Sequence, residues 1–127
     1  MNLEKVIFSF FIVLALTLNF GFFLGDIDNP EHHNVYELFA AIVVNLIATV
    51  LKFGERTQIG TVLLATSLVA DLELIAAALV WALTVHVIGG GITPSAMAVI
   101  VSLAGGALVA NAVSMVLLVV EMAILRR

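Results

Sequence analysis

Asp71 and Glu73 stand in the middle of the longest apolar run of this chain, Thr61 to Ile88, and no Lys or Arg lies near them. An ionisable group at membrane depth is costly and marks a functional site by default. Two chemistries suit a carboxyl group there. An ionised one needs a cation, which the run does not supply. A neutral one needs hydrogen-bond partners, because burial disfavours the charged form. Such a group can therefore bind a cation or carry a proton. Residues two apart on a helix point to nearly opposite faces, so the two acids read as separate sites and not as one chelating pair. Ser67 shares a face with Asp71, whereas Thr66, Ala70 and Ala77 share one with Glu73. Ser67, Thr66 and, on the preceding span, Asn45 are the partners expected for a neutral acid. The structural alternative is two protonated acids that link packed helices.

The elements that must position these residues are apolar spans. Val6 to Leu24, Val35 to Phe53, Thr61 to Ile88 and Ser95 to Leu125 each reach the roughly 17–20 residues that a helix needs to cross hydrocarbon. The sequence predicts an all-α membrane protein, a single domain over residues 1–127. Its four transmembrane helices are expected at about 4–24, 30–53, 61–88 and 95–125, joined by short links as an up-down bundle. The first span is longer than the roughly 7–15 apolar residues of a signal peptide and lacks a small-residue cleavage pattern, so it reads as a retained helix. Asp28-Asn29-Pro30-Glu31 carries a cap, a first-turn proline and an acid, which predicts that the second helix begins at Pro30 with His33 and Glu37 on one face. Ala98, Ser102, Gly106, Ala110 and Ser114 form a four-residue ladder of small side chains on the fourth helix, a surface for close packing against another helix of this chain or of another subunit.

Composition agrees. The chain is 63% hydrophobic and 11% charged, with mean hydropathy +1.24, where soluble domains are about half apolar and roughly a quarter charged. With no cysteine, thiolate chemistry and Cys-ligated metals are excluded. A net charge of −4 argues against nucleic acid as a partner. No nucleotide loop, zinc-protease helix or nucleophile elbow occurs, so no enzyme activity and no cofactor are expected beyond a bound cation.

The five basic residues fall at alternate helix ends: Lys5, then Lys52 and Arg56, then Arg126 and Arg127. The positive-inside rule puts both termini in the cytoplasm. The opposite face carries Asp26, Asp28, Glu31 and Glu37, an acidic loop able to concentrate cations. His32 and His33 on that loop give a weak transition-metal pattern with Asp26, Asp28 and Glu31; a solvated loop is the plainer reading. Asn19, Asn45 and Asn111 place a carboxamide at depth in three spans, where interhelical hydrogen bonds are worth roughly 0.6–2 kcal/mol. Glu121 is expected to be screened by Arg126 and Arg127.

The runs Asn29-Pro30-Glu31-His32-His33-Asn34-Val35-Tyr36-Glu37-Leu38-Phe39 and Ala65-Thr66-Ser67-Leu68-Val69-Ala70-Asp71-Leu72 resemble those of small four-helix bacterial membrane proteins that form a family of unknown function. The resemblance covers nearly the whole chain and implies a bacterial inner-membrane location; it implies no activity. The chain does not resemble small multidrug transporters, whose first helix carries an acid, or fluoride channels. The residues therefore lead to one expectation, a homo-oligomeric cation channel in which Asp71 or Glu73 forms a ring with Asn45, Ser67 and Thr66 in support. A proton- or cation-coupled carrier and a non-conducting accessory subunit are the alternatives.

Overall fold

Three of the four helices start where a side chain takes an otherwise unpaired backbone N–H. Asn34 accepts from Tyr36 N at 2.8 Å, Thr57 from Gly60 N at 2.9 Å, and Thr93 from Ala96 N at 3.1 Å. The computed structural model describes residues 3–54 and 56–125. Its helices are α1 (Leu3–Phe23), α2 (Val35–Lys52), α3 (Gln58–Ala82) and α4 (Pro94–Leu125), and α3 runs on into a π-helical segment, Leu83–Ile88. Arg126 and Arg127, used above for orientation, lie outside the described residues.

The second helix begins later than its sequence signals predict. Pro30–His32 is a single 3-10 turn capped by Asn29, and His33 and Asn34 are extended before α2 starts at Val35. The cap and the proline belong to that turn. His33 is drawn inward, with Nδ1 against the carbonyl oxygen of Phe22 and Nε2 2.7 Å from that of Asp26. It shares no helical face with Glu37.

Each helix packs against its two neighbours in the order α1–α2–α3–α4 and back to α1, which makes a closed four-helix bundle with short links. Two apolar clusters fill it. The cluster toward the acidic loop holds twelve buried residues, among them Phe22, Leu38, Leu74, Met97 and Ile100. The one toward Lys5 and Lys52 holds five: Phe8, Ile12, Ala48, Leu63 and Leu118. Outward faces are apolar as well, with Phe10, Leu72, Val109 and Val116 among many exposed side chains. All four helices are long and apolar enough to cross a membrane. A soluble monomer seldom exposes so continuous an apolar surface; hydrocarbon is the solvent that suits it.

On α4, Glu121 pairs with Lys5 Nζ at 2.5 Å, tying α4 to α1 at the basic end, where Lys52 also lies over the Phe8 ring; its expected screening by Arg126 and Arg127 lies outside the described residues. The small-residue ladder meets the interior only in part. Gly106 is half-buried and Ala110 and Ser114 are buried, but Ser102 is exposed. A strict four-residue row drifts around a helix of 3.6 residues per turn. The face that stays inside is Met97, Val101, Ala104, Ala107, Asn111, Ser114 and Leu118.

Candidate functional site

Asp71 is set by its register on α3. Gly60, Leu63, Ser67, Asp71 and Leu74 all lie on buried positions of that helix, three or four residues apart, so Asp71 points into the bundle with them. It is 5% exposed. At 1.5 Å per residue it lies roughly 20 Å from Gln58 and roughly 25 Å from Ile88, near the middle of its own span. Its partner is Thr49 of α2, whose Oγ1 is 2.5 Å from Asp71 Oδ2. The same hydroxyl lies 2.9 Å from the carbonyl oxygen of Asn45, one turn back on α2. The second carboxyl oxygen, Oδ1, has no hydrogen-bond partner among the described residues. No Lys or Arg pairs with Asp71 or Glu73 among them either.

The expected partners of Asp71 are thus replaced by one that sequence reasoning missed. Thr66 bonds instead to Ser114 Oγ of α4 at 2.6 Å. Asn45 donates Nδ2 to Ala41 O of its own helix at 2.9 Å. Ser67 is fully buried, and its Oγ is unpartnered. The signal for Thr49 was present: it stands four residues after Asn45, on the same face of the same span. Both residues are buried.

Glu73 faces the other way, as the two-residue spacing requires. Its half-buried carboxylate lies on Gly106 of α4, so close that a Cβ at position 106 would overlap it. Asp71 therefore belongs to the α2–α3 seam and Glu73 to the α3–α4 seam.

The α2–α3 seam is short of hydrogen bonds. Among the described residues, Asn45 Oδ1, Ser67 Oγ and Asp71 Oδ1 are buried without partners, and so are both side-chain polar atoms of Asn19 on α1 and of Asn111 on α4. Asn19 and Asn111 are fully buried, yet neither forms the interhelical bond expected of it. An unmet buried polar group costs about 1–3 kcal/mol. Such groups stand on all four helices and are costly to keep.

The acidic loop is a different matter. Asp26, Asp28 and Glu31 are exposed, while Glu37 is half-buried and packs over Gly21. His32 Nδ1 accepts from Asp26 N at 2.8 Å, and its Nε2 lies 3.2 Å from Asn29 Nδ2. With both rings committed to the loop's own backbone and side chains, the His32 and His33 metal pattern is not assembled. Among the described residues no group of three or more His, Cys, Asp or Glu could hold a metal ion. Gly25 turns the chain out of α1 at φ +98°, a left-handed conformation that glycine adopts without strain. Trp81 packs 6.4 Å from the Phe22 ring, and His86 is exposed on the π segment.

Fold and site together define a four-helix bundle of membrane character with a carboxyl group buried in its interior. A model described as a family of unknown function (DUF6394) matches residues 32–122. The chain belongs to that family, and the match takes in both acids of α3 together with Asn45 and Thr49. No curated protein and no solved structure matches it.

Proposed function

We propose that this protein carries a small cation, a proton or a metal ion, across a membrane, and that Asp71 inside each bundle is the site at which it is held. One observation supports this reading above the others. Asp71 is buried in the middle of its own span against one neutral partner, Thr49, with its second oxygen unmet. A structural link would use both oxygens or be replaced by an apolar residue at less cost. Because Asp71 faces α2 within its own subunit, it is poorly placed for a carboxylate ring about an oligomer axis. The geometry favours the carrier-like alternative, with Asn45 and Ser67 flanking the site. In a homo-oligomer each subunit would then hold its own site. No covalent chemistry is assigned to any residue. The basic residues Lys5, Lys52 and Arg56 favour a cytoplasmic basic end, with the acidic loop facing outward to gather cations; the bacterial inner membrane is the location that the family resemblance implies.

Purified protein in phosphatidylcholine–phosphatidylglycerol liposomes tests the proposal. Cation flux should exceed that of empty liposomes in the native chain and fall to the empty-liposome level in Asp71→Asn. Equal flux in the two proteins would overturn it.

A further inference from the structure

The number of hydrogens on Thr49 narrows which cation is held. A threonine hydroxyl donates once and accepts up to twice. Thr49 Oγ1 lies within bonding distance of two oxygens, the Asn45 carbonyl at 2.9 Å and Asp71 Oδ2 at 2.5 Å. The carbonyl has no hydrogen to give. If Asp71 were ionised, neither would the carboxylate, and one hydroxyl hydrogen would have to serve both. With a neutral Asp71 the arrangement closes: the carboxyl O–H donates to Thr49, and Thr49 donates to Asn45 O. Every partner then has a distinct role, and no bare charge sits in the interior.

The remaining unmet atoms do not build a metal cage. A hard metal cation such as calcium takes about six to eight oxygens at roughly 2.3–2.6 Å. Asn45 stands one turn before Thr49 and Ser67 one turn before Asp71, on antiparallel helices. The unmet oxygens of this seam number three among the described residues, Asn45 Oδ1, Ser67 Oγ and Asp71 Oδ1, fewer than such a cation takes. Polar groups one helical turn apart suit stations bridged by water, each with an unmet group to hold it.

We infer that the species held at Asp71 is a proton, carried on its carboxyl and shared with Thr49 across the α2–α3 seam, with Asn45 and Ser67 as the stations on either side. The step balances simply. One O–H bond forms on Asp71 as a hydronium gives up its proton and becomes water, and the same bond breaks when the proton leaves to a water on the other side, which becomes hydronium. No electron moves and no other group is consumed. The inference rests on the reading of Asp71 as the transport site and adds the identity of what it carries.

The test uses the full chain in the same liposomes, with two readouts. Valinomycin and a potassium gradient drive proton uptake, followed by an internal pH dye; uptake of radioactive sodium is measured separately. The native chain should take up protons and no sodium. Asp71→Asn should lose proton uptake to the empty-liposome level, and Asp71→Glu should restore part of it. Thr49→Val should slow uptake where Thr49→Ser does not. Infrared spectra should show a protonated-carboxyl band that Asp71→Asn removes and Thr49→Val shifts; this readout holds even where flux is weak. Any sodium uptake that depends on Asp71 overturns the proton assignment while leaving Asp71 as the site. Flux of neither ion depending on Asp71 overturns both. A native spectrum without a band that depends on Asp71 overturns the neutral, proton-holding carboxyl.

Discussion

Asp71 turns toward α2 and Glu73 toward α4, and the seams they enter are built differently. On the α3–α4 side, Gly106 leaves room for the Glu73 carboxyl group against the helix, and Thr66 and Ser114 bond to each other. On the α2–α3 side, Asp71 and Thr49 meet among polar atoms that have no partners. One seam is closed by fit and by a completed hydrogen bond. The other keeps polar groups that fit alone does not explain. Two acids of similar chemistry thus acquire different roles from a 200° change of direction around one helix, the angle that two residues subtend at about 3.6 per turn.

If the α3–α4 seam is the structural one, overfilling it should have the largest effect on stability. Gly106→Leu drives a side chain into Glu73 and should cost about 1–3 kcal/mol, a typical overpacking penalty, seen as a lower unfolding temperature in detergent. Adding Glu73→Ala should recover part of the loss. No recovery would mean that the contact is not what makes Gly106 necessary. Ser114→Ala removes the Thr66 hydrogen bond and should cost less, roughly 0.6–1.7 kcal/mol, by the same melt. The α2–α3 seam should respond in the opposite sense. Replacing both polar partners with apolar groups of similar shape is nearly neutral or stabilising, so Asp71→Leu with Thr49→Val should melt at or above the native temperature while cation flux disappears. A strong loss of stability in that double variant would make the seam structural after all.

Much of the fold is legible in the sequence because it depends on local quantities. The four spans follow from apolar length, the opposite facing of Asp71 and Glu73 from helical spacing, and the shared face of Ser67 and Asp71 from their four-residue separation. What escapes depends on contacts between distant segments. Pro30 with its Asn29 cap signals a helix start equally well for a 3-10 turn, and only the capture of His33 by the Phe22 and Asp26 carbonyls shows that the chain leaves helical geometry there. Thr49 was missed as the partner of Asp71 because carboxamides and residues of the same helix are the more obvious polar candidates. A threonine can also satisfy its hydroxyl on its own backbone four residues earlier, which Thr49 does as well. Lys5 meets Glu121 across almost the full length of the chain, a pairing that no local pattern announces. The drift of the small-residue ladder was calculable from helical pitch, but which part of it faces inward needed the neighbouring helices.

The central claim is that Asp71, and not Glu73, is the working acid. Its most direct test is cation flux through Asp71→Asn and Glu73→Gln, reconstituted side by side at equal protein content. The account predicts that Asp71→Asn falls to the empty-liposome level and that Glu73→Gln stays close to the native rate. Native flux in Asp71→Asn, or loss of flux in Glu73→Gln alone, would contradict it.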